Sequence, residues 1–157
     1  MDIVVFKLGL AADGFAHRRF GLDLAQVREV LRLTRVTPVP LTPPCLFGAM
    51  HVRGNVLPVI DLAQLLGERP SRPAMGATCL RVQRDTQQLL LHVVRVEEVL
   101  EVEGEPPPTV AGELVARVQA TARGPLPLLS LEAIVDTVNA QLDELLVGLR
   151  GYEEEAR

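Results

Sequence analysis

Aromatic residues make up only 3% of this 157-residue chain: four Phe, one Tyr and no Trp. That shortage removes the stacking platforms on which proteins hold bases and sugars. Lysine occurs once, at Lys7, the formal net charge is -4, and the pI is near 5.4. Binding a phosphate backbone needs a basic face, and the arginines here are dispersed, so nucleic acid is not an expected partner. No apolar run approaches the roughly 20 residues of a membrane-spanning helix. The strongest, Leu89–Val94, is interrupted by His92. Met1-Asp2-Ile3 shows no basic stretch leading into an apolar one, so neither a signal peptide nor direct membrane insertion is expected. Cys45 and Cys79 stand alone, with no CxxC pair, and read as reduced, buried thiols in a cytoplasmic setting.

Catalytic constellations are missing as well. Ser71 and Ser130 are the only serines, and neither lies in a GxSxG elbow. His17, His51 and His92 never take the i, i+4 spacing of a helical metal pair. Gly48, Gly54, Gly67 and Gly76 are isolated, so no glycine-rich phosphate loop forms. Glu97, Glu98, Glu101, Glu103 and Glu105 lack the DxDxDG order of a calcium loop and read as a solvated face. The expectation is a protein that is not an enzyme and holds no cofactor or metal.

What the chain does have is aliphatic residues and a repeat. Hydrophobic residues reach 48%, rich in Val and Leu in short runs, which favours strands around an ordinary core. Val27-Arg28-Glu29-Val30-Leu31-Arg32-Leu33 returns 69 positions on as Val96-Glu97-Glu98-Val99-Leu100-Glu101-Val102. An apolar run precedes each copy, Phe20–Leu24 and Leu89–Val93. Pro43–Gly48 finds its counterpart in Pro107–Gly112, and Leu57–Leu62 in Leu126–Leu131. Four matches in one order mark an internal duplication.

Each copy reads as about five short strands, too few to cover two faces and suited to a small curled barrel. The expected elements are a hairpin of Ile3–Leu8 and Phe20–Leu24 around the loop 11–19, and a strand within Val30–Val36. A tight turn at Gly54-Asn55 separates His51–Val52 from Val56–Ile60, and a helical turn covers Asp61–Leu66. A second hairpin runs through Asp85-Thr86, and Leu114–Ala120 and Leu126–Leu129 form a closing pair. The predicted architecture is mostly β: two SH3-like five-stranded barrels packed together, with a C-terminal amphipathic helix. Its parts are a first barrel at 1–66, a linker at 67–77, a second barrel at 78–135 and a helix at 131–150. Leu131, Ile134, Val135, Val138, Leu142, Leu145, Leu146 and Leu149 recur at helical steps. Gly151 is the expected stop, with an acidic frayed tail beyond it.

One polar pair stands out. Glu29, placed on the turn after the second strand, and Arg53, beside Gly54, put a carboxylate opposite a planar five-donor fork on a turn. The pair reads either as a structural salt bridge or as an anchor for a partner.

At these residues the chain resembles the CheW-like domain of bacterial chemotaxis. The family steps appear as Phe20-Gly21-Leu22-Asp23-Leu24, Val27-Arg28-Glu29-Val30, Thr37-Pro38-Val39-Pro40, Gly48–Gly54 and Val56-Leu57-Pro58-Val59-Ile60-Asp61-Leu62. Agreement is close over residues 20–66 and looser over 79–135. His51 and Val52 stand where the family has Asn-Leu, Val94 where an acid is usual and Ser130 where Asp is common, as in a divergent member.

The resemblance implies a cytoplasmic adaptor bridging a methyl-accepting chemoreceptor to a CheA-type histidine kinase. A hydrophobic groove between the barrels would take the receptor's helical hairpin tip, and the first barrel would take the kinase's regulatory domain. The implied receptor-binding residues are Val27, Glu29, Val30, Arg53, Gly54, Val93 and Val96. Two alternatives stand beside it: an accessory protein that binds receptor but not kinase, and a small-ligand-binding regulatory barrel pair.

Overall fold

The computed structural model describes residues 1–10, 17–40, 42–67, 75–105, 110 and 112–155. Most of the expected linker (68–74), residues 11–16 of the first loop and Pro107-Pro108-Thr109 of the repeat lie outside the described residues.

Among the described residues ten strands and two helices follow in order: β1 (Asp2–Leu10), β2 (His17–Asp23), β3 (Val27–Arg32), β4 (Leu46–Val52), β5 (Asn55–Asp61) and α1 (Leu62–Leu65); then β6 (Thr78–Arg84), β7 (Gln87–Val93), β8 (Arg95–Glu101), β9 (Val115–Thr121), β10 (Gly124–Leu129) and α2 (Leu131–Glu155). The protein is mostly β, as expected, with two five-stranded sheets forming packed SH3-like barrels. Asp61 does not open a helical turn but caps one, its Oδ1 accepting from the Gln64 amide. Between β2 and β3 runs a single 3-10 turn, Leu24–Gln26, capped by Asp23 accepting from Ala25 N–H.

The sheets do not divide the chain at the linker. One sheet has the order β8-β1-β2-β10-β9 and the other β3-β6-β7-β5-β4. The expected blocks, 1–66 and 78–135, are therefore corrected to two interwoven halves. The first two strands of each repeat sit in the sheet that holds the other repeat's last three. Parallel pairs make the joins: β2 beside β10 at Gly21 and Leu128, and β5 beside β7 at Val59–Asp61 and Leu90–His92. The physical reason is burial. Exchanging hairpins places apolar residues of both repeats on the face where the sheets meet.

Strand alternation distributes the core in three parts. Ile3 and Val5 of β1 join Leu126 and Leu128 inside the first barrel. Leu57, Val59, Cys79 and Leu90 join Leu33, Met50 and Val52 inside the second. Val4, Phe6 and Leu8, on the opposite face of β1, join Leu80, Val82, Leu89, Leu91 and Val93 in a central cluster between the barrels. The start of α2 closes this cluster with Leu131, Ile134, Val135 and Val138. Gly21 sits where β1, β2 and β10 converge: a Cβ there would lie 2.6 Å from Ile3 Cγ2 and 2.7 Å from Leu128 Cδ2. Only glycine allows that approach.

The helix outruns its expected end. It passes through Gly148 and Gly151, neither at positive φ, and continues to Glu155, so the acidic tail through Glu155 is helical.

Candidate partner-binding site

The hairpin β4–β5 turns through Arg53 and Gly54 rather than Gly54-Asn55. Val52 pairs with Asn55, and the two residues between them have φ of 49° and 84°. Positive φ at both central positions is the turn whose twist matches that of the strands. Glycine adopts it freely, whereas Arg53 does so at a steric cost.

A carboxylate meets Arg53 there. Glu29 lies within β3 and not on the preceding turn, so its side chain is fixed by strand pairing with β6. Arg53 Nη2 stands 2.7 Å from Glu29 Oε2, and Arg81 Nη1 stands 2.6 Å from Glu29 Oε1. Strands β3 and β4 are the two outer strands of their sheet, so the Arg53–Glu29 pair spans from one edge to the turn of the other. Arg81 is directly opposite Glu29 in the strand register and also donates through Nε to Gln88 Oε1 at 2.8 Å. Glu29 is 16% exposed, Arg81 17% and Arg53 72%. One arginine is structural support; the other is held at the surface.

Sequence reading paired Glu29 with Arg53 but missed Arg81. The signal was available only through register, because nothing in residue spacing says that position 81 lies across from 29. Because Arg81 also holds Glu29, losing Arg53 would not leave Glu29 unpaired.

The valines divide by accessibility. Val30 is 53% exposed on β3, while Val27 and Val96 are half-buried against the central cluster. Val93 is 1% exposed inside that cluster, and its side chain lines no outer wall. The expected trough between the barrels is filled there by Phe6, Leu80, Leu91 and their neighbours; only its rim is accessible. Val99, the repeat counterpart of Val30, is 54% exposed on β8. Thus the edge strand of each repeat carries the same pattern, one half-buried valine and one exposed.

Beside β8 lies a second charge cluster. Glu97 receives Arg19 at 2.8 Å, Lys7 at 3.3 Å and Arg95 at 3.6 Å, and Arg19 also reaches Glu98 at 3.1 Å. Burial alone would raise the Glu97 pKa, but the hydrogen bonds and charges of Arg19 and Lys7 outweigh it and hold the carboxyl below 4.5.

The other titratable groups do not form a site. Among the described residues no cluster of His, Cys, Asp and Glu could hold a metal ion. Burial pushes the Cys45 thiol up to about 11, with Asp61 adding to the rise and a backbone hydrogen bond opposing it, and pushes Cys79 up to about 12. Both are free and buried, hence weak nucleophiles. His92 is buried edge-on to Phe47, ring centroids 5.3 Å apart, and burial lowers its pKa from 6.5 against the opposing charge of Asp61. Ser130 caps α2, its Oγ accepting from the Ala133 amide at 3.2 Å. It occupies in the second repeat the place Asp61 holds in the first, and does the same work there.

Two interwoven SH3-like barrels, joined by a shared core and closed by a C-terminal helix, define a paired-barrel scaffold class. The match to the CheW-like domain runs over residues 4–139, and the chain belongs to this family. A probable chemotaxis protein CheW of Rhizobium etli is 26% identical over 147 residues, covering 89% of this chain and 90% of its own length. Protein FrzA of Myxococcus xanthus is 43% identical over a shorter span of 54 residues, 34% of either chain. The crystal structure of the scaffolding protein TtCheW from Thermoanaerobacter tengcongensis aligns with a TM-score of 0.67 at 29% identity, covering 83% of this chain and 88% of that one.

Proposed function

We propose that this chain is a non-enzymatic, cytoplasmic adaptor that couples a methyl-accepting chemoreceptor to a CheA-type histidine kinase. In this reading the receptor's hairpin tip lies along β3 and the Arg53-Gly54 turn. The observation that carries it is Arg53 itself: a left-handed, 72% exposed guanidinium braced by Glu29, which Arg81 braces in turn. A helix offering an apolar stripe flanked by carboxylates would find Val27 and Val30 for the stripe and Arg53 for a charge. Glu29 sets the direction of the fork, and Gly54 lets the partner's backbone approach. Val96, half-buried, supports the rim of the second edge. No helix among the described residues is long and apolar enough to cross a membrane, so recruitment to receptor arrays would rest on this contact.

The accessory reading, receptor without kinase, is favoured by one feature: the exposed Val94 stands where the family resemblance places an acid. Binding of the full chain to a receptor signalling domain and to a kinase regulatory domain separates the two readings. Binding to both supports coupling, binding to receptor alone supports the accessory role, and binding to neither overturns the proposal.

Within the coupling reading, Arg53→Ala is expected to weaken receptor affinity about tenfold. Thermal unfolding should barely move. Such an exposed ion pair contributes at most about 1 kcal/mol, Glu29 keeps Arg81, and alanine bears the same positive φ as arginine. A large loss of stability with affinity intact would return the pair to a structural role.

A further inference from the structure

Beyond Leu142, α2 leaves the body of the protein. Its first turns bury Leu131, Ile134, Val135 and Val138 in the central cluster, with Leu142 at the margin. From Asp143 onward Leu145 is the one half-buried side chain among those described, and Leu146 is 54% exposed. The helix has 25 residues and is therefore about 37 Å long, so roughly half of it runs outside the packed body. Yet the apolar spacing does not stop. Val138, Leu142, Leu145, Leu149 and Tyr152 succeed one another at alternating steps of four and three, the seam spacing of helices that pair.

Where the helix leaves the body, a cavity of about 450 Å³ opens between Thr42, Pro43 and Pro44 ahead of β4 and Gln141, Glu144 and Leu145 of α2. The Gln141 amide oxygen is buried without a hydrogen-bond partner among the described residues. Buried acceptors left unmade are costly, and this one lies at a site open enough for a donor to enter. Glu144, on the same lining, has no ion-pair partner among the described residues. One turn on, a Cβ built at Gly148 meets nothing within 4 Å, leaving room for close approach.

Charge selects the occupant. From 143 to 155 the helix carries Asp143, Glu144, Glu153, Glu154 and Glu155 against a single Arg150. A second copy of this chain would bring the same negative charge alongside, whereas a helix flanked by lysine or arginine brings the opposite sign.

We propose that this notch and the projecting half of α2 form a docking surface for a positively charged amphipathic helix, separate from the Arg53 edge. The partner's apolar stripe continues the seam, one side chain enters the proline-lined cavity, and a donor reaches Gln141.

The test uses the full chain and a designed three-heptad peptide with leucine on its seam and lysine on its flanks, compared with a twin carrying glutamate in place of lysine. Fluorescence anisotropy should show the lysine peptide binding in the micromolar range, more weakly as salt rises, and at least about tenfold tighter than its glutamate twin. Glu144→Lys and Leu146→Ser, both at exposed positions, should each weaken binding about three- to tenfold without changing the melting temperature. Arg53→Ala should leave peptide binding unchanged, which keeps this surface distinct from the receptor reading. Equal binding of the two peptides, indifference to both variants, or no binding at 500 µM peptide would overturn the proposal. So would a dimer in sedimentation that Leu146→Ser dissolves, since the occupant would then be a second copy.

Discussion

At the scale of single residues, several side chains the sequence marks as unusual turn out to serve the backbone. Asp61 and Ser130 are repeat counterparts, and each caps the helix that follows its closing strand. The change from acid to hydroxyl, read as a departure from the family, preserves that bond. His92 carries the pH signature expected between pH 7.5 and 5. It is buried beside Asp61, with a folded pKa below its ordinary 6.5. The unfolded chain therefore binds a proton that the folded chain resists. Stability should be full above the unfolded value and decline as pH falls below about 6.5 toward the lower folded value. Melting temperatures measured between pH 7.5 and 5 should show that decline. His92→Gln, less stable at every pH, should lose this limb, and an identical slope in both proteins would show that His92 is not its source. Of the candidate site, Glu29 and Arg53 were legible from residue type and a turn glycine. Val93 was misread although its context carried the answer: it ends an apolar run, Leu89–Val93, broken only by His92, of the kind that marks a strand buried on both faces.

Among the elements, the strands were legible because alternation and turn residues are local signals. Asp85-Thr86 turns where expected, with Asp85 at a φ of 53°, and the β6–β7 register closes around it at Arg84 and Gln87. The end of α2 was not legible. Glycine at 151 signals a stop when it adopts the left-handed conformation, and here it does not. From Leu146 onward every side chain whose burial is described is exposed, so packing by these residues does not set the end of the helix. That segment should open locally rather than with the whole fold. Gly148→Ala fills open space in a helical conformation, a change that favours helix by about 0.5–1 kcal/mol. The expected result is about two- to fivefold slower amide exchange around residues 146–151, with the global melting temperature moving by under about 1 °C. A rise of several degrees would mean that the distal turns belong to the main cooperative unit.

For the molecule as a whole, duplication was legible but interweaving was not. The four repeat matches would be identical whether each copy closed its own barrel or lent its first hairpin to the other, because local patterns say which residues are apolar and not which copy they meet. The structure makes the choice through pairings far apart in sequence: β1 with β8, β3 with β6, and the two parallel joins. Neither half then contains a complete sheet. A fragment of residues 1–67 keeps the hairpins β1–β2 and β4–β5 but loses every strand that links them. A fragment of 75–157 keeps β6–β7 and β9–β10 in the same condition. Two-stranded hairpins are marginal in water, and each fragment would expose its share of the central cluster. Each fragment alone should therefore lack a cooperative thermal transition by circular dichroism. An equimolar mixture should regain the β spectrum and a single melt, since the cut falls in the expected linker, after α1 and ahead of β6, and leaves every strand named above intact. A cooperative melt from either half alone would mean that a repeat can close its own barrel, and that the exchange of hairpins is a preference of the intact chain rather than a requirement of its core.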